Sequence, residues 1–180
     1  MVLQASLSIE SWLQEGLAVL ADEGHARLRA ASLAERLGVS RGSFYWHFQD
    51  LSAFHHALLR KWVESAVNRP LAAAEAAGGG SAAKTLGALI DIAFTSSPAL
   101  ERAVHAWAAV DDRAAKAVAD VTQMRTAHLR RMLQATGFDA KAAEIRATVI
   151  YWAFLGRYVE PKLPGGKGCA ELIKRLVGTA

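Results

Sequence analysis

Hydrophobic residues recur along this chain at the three- and four-residue spacing of an α-helix, and nowhere with the sustained alternation of a half-buried strand. Ile9, Trp12, Leu13, Leu17, Leu20 and Ala21 share one face of a predicted helix over about residues 8–23, with Ser8 as its cap and Gly24 as its stop. From Asp50, the apolar positions Phe54, Leu58, Trp62 and Val63 mark a long element that Pro70 is placed to break or kink. Gly78-Gly79-Gly80-Ser81 reads as a linker, because consecutive glycines hold helical geometry only at a large entropic cost. Ser81 begins a further segment to about Ser96, with Leu86, Leu89, Ile90, Ala93 and Phe94 on one side, and Pro98 opens a short helix after it. A longer helix spans roughly Arg113 to Ala135 and stops at Gly137, and Asp139 starts another through about Val159. Pro161, Pro164, Gly165 and Gly166 read as a loop before a final helix over about Cys169–Val177. The pattern predicts an all-α protein.

Between the first helix and Asp50 the chain is more specific. Leu33-Ala34-Glu35-Arg36-Leu37-Gly38 reads as a short helix ending in a tight turn, and Ser40-Arg41-Gly42-Ser43-Phe44-Tyr45-Trp46-His47-Phe48 as a second one. Gly38 takes the positive φ that ends the first, Val39 plugs the corner, and Ser40 is expected to cap the second by accepting from a free N–H in its first turn. That is the layout of a helix-turn-helix, whose second helix enters the DNA major groove. Phe44 and Phe48 are assigned to its core. Arg41, Ser43, Trp46 and His47 are left on the outer face, where they meet phosphates and base edges.

The run Gly38-Val39-Ser40-Arg41-Gly42-Ser43-Phe44-Tyr45-Trp46-His47-Phe48 resembles the DNA-reading signature of the TetR family of bacterial transcriptional regulators, above all in its Tyr45-Trp46-His47-Phe48 end. The likeness extends back over the first helix and forward past Asp50. It continues more weakly in Leu100–Ala108 and Arg146–Tyr151. It implies a three-helix DNA-binding domain at 1–50, joined to a larger helical effector-binding and dimerisation domain at 51–180. It also implies that Tyr45 and His47 touch the phosphate backbone while Arg41, Gly42, Ser43 and Trp46 approach base edges. Two departures stand out: Leu51 occupies a position where the family often has a phosphate-binding lysine or arginine, and Arg29 one where it often has serine or threonine. Arg29, Ser32 and Ser40 complete the candidate DNA-binding set.

Net charge adds nothing to this reading, since the +4 of the whole chain is not concentrated at the motif. Up to Arg69 the chain holds seven basic and seven acidic side chains, so placement has to matter: Arg27, Arg29, Arg36 and Arg41 surround the turn. Composition does change the picture of the second half. Hydrophobic residues make up 52% of the chain, which suits an extra buried surface such as a dimer interface. A stripe of Ile145, Val149, Trp152, Leu155 or Gly156, and Val159, with Leu172, Ile173, Leu176 and Val177 nearby, supplies one, unless it covers only its own core. No apolar run is long and uncharged enough for a membrane span, no export signal is recognisable, and Cys169 is the sole cysteine. The expected location is the cytoplasm, at the nucleoid, with no membrane partner.

If the resemblance holds, the second half senses a small molecule. Trp62, Phe94, Trp107, Met124 and Tyr151 are candidate apolar ligand contacts, and His105, Arg125 and His128 candidate polar ones, each with a place in the ordinary core as its alternative. Glu101 and His105 share a helical face, but no further ligands complete a metal site, and the adjacent His55 and His56 point apart. Neither a nucleophile elbow, a phosphate-cradling glycine loop nor a zinc helix motif is present, so no enzyme and no cofactor are expected. The function expected is a dimeric repressor that binds double-stranded DNA at a palindromic operator and is released by a small apolar or aromatic effector. The alternative is a DNA-binding protein without such an effector, acting in chromosome organisation or under a protein partner.

Overall fold

Several helix starts along the chain are set by side chains that accept backbone N–H groups at first turns. The computed structural model describes residues 7–159, 166–176 and 178. Its helices are α1 (Ile9–Glu23), α2 (Ala30–Arg36), α3 (Arg41–His47), α4 (Leu51–Gly78), α5 (Ala82–Thr95), α6 (Ala99–Ala108), α7 (Asp112–Ala135), α8 (Ala140–Val159) and α9 (Gly166–Leu176), with a 3-10 turn at His25–Arg27 between α1 and α2. No strand occurs among the described residues. Ser8 Oγ accepts from Ser11 N at 3.2 Å, Asp50 Oδ1 from Ala53 N at 2.7 Å and Asp139 Oδ1 from Ala142 N at 2.8 Å. At the start of α7, Asp111 Oδ1 accepts from Arg113 N at 2.9 Å; the Arg113 guanidinium beside it holds this carboxyl well below the usual carboxylate range.

The chain divides into two compact units. One comprises the residues up to Trp62 together with Ala99–Val118; the other comprises Val63–Pro98 and the residues from Ala119 on. In the first, α6 packs on α1 and on the 3-10 turn, and α1, α2 and α3 pack on one another. Trp12, Leu20, Leu33, Phe44, Phe54, Leu58, Val104 and Trp107 fill its core. Helix α1 meets α4 closely at Gly16, where a Cβ would lie 2.6 Å from Phe54 Cζ and 2.9 Å from Leu58 Cδ1. In the second, Leu86, Ile90 and Phe94 of α5, Leu129 and Leu133 of α7, Ala147, Ile150 and Tyr151 of α8, and Ala170 and Ile173 of α9 form the core.

Four expectations are adjusted. Ile9 is 49% exposed and Val19 takes an inward place on α1 instead. Pro70 does not break α4, which runs on through it to Gly78. The glycine run therefore divides: Gly78 ends the helix against α5, where its Cβ position lies 2.8 Å from Thr85 Cα, while Gly79 and Gly80 make the turn at φ +55° and +85°. Helix α9 begins at Gly166 rather than near Cys169. The loop residues Pro161, Pro164 and Gly165, and Val177 of the stripe, lie outside the described residues.

Candidate functional site

The pattern of apolar residues in 41–48 sends two phenylalanines inward and leaves the rest outside. Phe44 is fully buried and Phe48 buried; Phe44 stacks edge-on against Trp12 of α1 at 5.4 Å between ring centroids and against Phe54 of α4 at the same distance. That aromatic knot fixes how α3 is seated on α1 and α4. The turn before it is held at Gly38, with φ +67° and Gly38 N donating to Glu35 O at 3.1 Å; Val39, half-buried, donates to Ala34 O at 3.0 Å.

Ser40 occupies the cap position of α3, yet its hydroxyl does not cap. Its Oγ accepts from no first-turn backbone N–H; Ser43 N donates instead to the Ser40 carbonyl at 3.0 Å, and the Ser40 and Ser43 hydroxyls are hydrogen-bonded to each other at 3.4 Å. The expected Ser40 cap is thus replaced by a backbone turn. Arg29 stands at the cap position of α2 without a capping bond, its Nε donating to Ala26 O at 3.2 Å, and Ser32 is half-buried in that helix's first turn.

The outer face of α3 carries Arg41, Gly42, Tyr45 and Trp46 exposed, with Ser43 and His47 half-buried. Arg41 Nη2 donates to the Tyr45 hydroxyl at 3.2 Å and its guanidinium sits 5.7 Å from the Tyr45 ring centre, one turn along the helix. The two are held as a unit whose remaining guanidinium N–H groups suit phosphate or guanine. Arg36 does not join this face. It is bound to Glu15 and, at 2.8 Å, to Glu23 of α1, which ties α2 to α1.

The candidate effector contacts fall into two groups. Trp62, His105 and Trp107 belong to the first unit, and Phe94, Met124, Arg125, His128 and Tyr151 to the second. Trp107 is buried between two imidazoles: His25 stacks parallel at 6.0 Å and His55 meets it edge-on at 5.1 Å. His55 Nε2 lies 3.3 Å from the Leu28 carbonyl and so donates to it. Burial pushes the His55 imidazole below its ordinary pKa, against the Leu28 bond that raises it; Arg113 and His25 lower it and Asp111 raises it. His105 is half-buried on α6.

In the second unit the polar candidates hold backbone and neighbouring side chains. Tyr151 hydroxyl and Thr122 Oγ1 are 2.8 Å apart. Arg125 Nε and Nη2 donate to the Ala66 carbonyl at 3.2 and 3.0 Å, and the guanidinium lies 4.9 Å from the Phe154 ring centre. The reason for the first contact is Pro70. Proline has no N–H, so it cannot give Ala66, four residues earlier in α4, its helical hydrogen bond, and Arg125 supplies the missing donor. A proline inside a helical run announces an orphaned carbonyl, but nothing local names the residue that serves it. Phe94 is fully buried, Met124 half-buried, and His128 half-buried with its pKa lowered by burial and by Arg131 against an opposing pull from Glu75. Arg157, not anticipated, closes the end of α5 by donating to the carbonyls of Ala93 and, at 2.6 Å, Ser96. No group of three metal-ligating side chains occurs among the described residues, and no helix there is long and apolar enough to cross a membrane.

Residues 13–54, which enclose α2 and α3, match the model of bacterial regulatory proteins of the tetR family. No curated protein matches the chain. Among solved structures, a transcriptional regulator from Rhodococcus sp. Rha1 is similar at 22% identity and a TM-score of 0.73, over 96% of this chain and 95% of that one. The reduced form of NemR from E. coli gives 18% and 0.74, over 94% and 95%. A transcriptional regulator from Saccharomonospora viridis, solved in complex with choline, gives 17% and 0.73, over 94% and 93%. At these identities the structures speak for the fold, whereas the match at 13–54 covers the signature residues themselves. Over residues 13–54 the chain is thus similar to the bacterial regulatory proteins of the tetR family, and it shares the fold of solved transcriptional regulators.

Proposed function

We propose that this protein is a dimeric repressor that α3 docks on a palindromic operator and that a small apolar or aromatic effector releases. The observation that carries the DNA half of this reading is the separation of faces on α3. Phe44 and Phe48 account for its packing, so Arg41, Tyr45 and Trp46 remain free of core duty and open to solvent. Dimerisation is supported by an apolar strip that one copy leaves in water: Ile145, Val149, Trp152 and Val159 on α8 and Leu172 and Leu176 on α9, with Trp152 67% exposed. Leu155 and Gly156 are half-buried, and Ile173 turns inward. A second copy is the natural cover, because palindromic half-sites need two recognition helices about one DNA turn, roughly 34–36 Å, apart.

The effector half rests on the choline-bound relative of the same fold and on the aromatic interior of the second unit, where Phe154 lies among Phe94, Tyr151 and Tyr158. The DNA-binding segment proposed, 1–50, lies inside the first unit, which also takes in α6 and the start of α7. The test is fluorescence anisotropy on DNA flanking the protein's own gene over a salt series, for wild type, Arg41→Ala and Tyr45→Ala. Tight, salt-dependent binding that both changes weaken supports the reading. Binding no better than to scrambled DNA, and indifferent to both changes, overturns it. Light scattering on Trp152→Glu tests the dimer, with a shift toward monomer expected.

A further inference from the structure

Trp46 is 89% exposed, the most open of the large apolar side chains among the described residues. Its own helix has no structural use for it, since Phe44 and Phe48 fill the inward positions. Its surroundings are cationic and polar: Arg41, held by Tyr45, lies on the same short helix, and His47 follows directly. A helical side chain leans over the turn preceding it. One turn before Trp46 stands Gly42, where an added Cβ would meet only Ser40 Oγ, at 3.6 Å. The indole thus stands open to solvent on a helix face to which Gly42 adds no side chain, with the hydrogen-bonding groups of Arg41, Tyr45 and His47 on the same short helix.

Base edges in the major groove consist of hydrogen-bond donors and acceptors with a single apolar exception, the C5-methyl group of thymine. An indole face laid on any other edge strips water from polar atoms and returns little. We infer that Trp46 is the specificity-determining residue of this chain's DNA reading, and that its indole takes the C5-methyl group of a thymine in each half-site. The inference rests on the DNA-binding reading above. It assigns sequence information to an apolar contact, alongside the hydrogen bonds that Arg41 offers.

The experiment uses the full chain and duplexes enriched from a random pool by the wild-type protein. Each thymine of the enriched site is replaced in turn by deoxyuridine, which differs only by the missing methyl group. At one position per half-site, wild-type binding is expected to weaken about fourfold, the equivalent of one buried methyl-sized group. Cytosine at that position is expected to bind worse than 5-methylcytosine, which returns the methyl group on a different base pair. Trp46→Ala, whose fold is checked by circular dichroism, binds more weakly throughout and no longer distinguishes thymine from deoxyuridine. Trp46→Gln moves the preference at that position toward adenine, whose N6 and N7 suit an amide.

A converged site at which no thymine is sensitive to deoxyuridine overturns the inference and leaves the regulator reading standing; the indole then lies on the sugar-phosphate backbone. Sensitivity that persists unchanged in Trp46→Ala also overturns it, because another residue reads the methyl group. A pool that never converges overturns the reading of α3 as docking on a specific operator, and this inference with it.

Discussion

The two units of the chain use their polar and aromatic side chains in opposite ways. In the first, α3 divides its labour by face, with Phe44 and Phe48 inside and Arg41, Tyr45 and Trp46 outside. In the second, two side chains that look like ligand contacts are engaged in holding the fold, Tyr151 with Thr122 and Arg125 with the Ala66 carbonyl, and Arg157 likewise holds the end of α5. The lesson concerns what a substitution reports. On the proposed DNA-facing side of α3, removing a side chain is expected to change binding and leave stability alone. In the interior of the second unit the same operation disturbs helix ends and backbone acceptors, so a lost response there does not by itself mark an effector contact.

That contrast is easiest to break at Phe44. Phe44→Ala is expected to cost about 3–5 kcal/mol in urea unfolding, because a fully buried ring with four aromatic neighbours leaves a cavity. A loss below about 1 kcal/mol, the scale of an ordinary point change, would mean the inner face of α3 is not a core at all. Gly78→Ala comes next, at roughly 1–3 kcal/mol, since its methyl group is driven against the Thr85 backbone. Arg125→Ala is expected to cost about 1–3 kcal/mol by stranding the Ala66 carbonyl. The informative variant is its pairing with Pro70→Ala, which restores the helical N–H; the cost of removing Arg125 should then fall by about 0.5 kcal/mol or more. Equal costs in both backgrounds would show that Arg125 does not serve this acceptor.

Arg41→Ala supplies the opposite pole. Operator affinity is expected to drop roughly tenfold, within the range for a guanidinium contact to phosphate or guanine, while unfolding stays within about 0.5 kcal/mol of wild type. The smallest effect is a pH slope. His55 and His128 both titrate below the ordinary imidazole range in the fold, so the unfolded chain binds the extra protons first. Stability is fully present above the unfolded value, near pH 6.5, and falls as the solution is acidified below it. His55→Gln is expected to flatten part of that fall in thermal melts, and an unchanged slope would remove His55 as its source.

Much of the first unit was legible because its information is local. Gly38, the Phe44 and Phe48 spacing and the Tyr45-Trp46-His47 run lie within eleven residues of one another, and the helices they imply are formed. Ser40 shows the limit even there: residue type predicts the cap position, whereas the hydroxyl's orientation depends on a neighbour, Ser43, that offers it another partner. Ile9 and Val19 show a second limit, since helical spacing defines a face only to within the width that packing against α4 and α6 then selects. The candidate effector contacts share only a chemical type, and type carries no address. Trp107 stacks between His25 and His55 while Phe94 packs with Phe154, in different units, because such placements depend on contacts between residues far apart in sequence.

Pro70 leaves a mark on α4 that goes beyond one hydrogen bond. Elsewhere an α-helix is stiff because each rung of its ladder is closed by its own backbone; at the Ala66 rung, closure is lent by another helix. Along its 28 residues, α4 is therefore a rod with one compliant joint, and the joint's stiffness is set by how firmly Arg125 grips. Hydrogen exchange should register it as faster amide opening in the turn after Pro70 than in the turn before Ala66, and tightening or loosening that grip is a way to tune the helix without altering its own sequence.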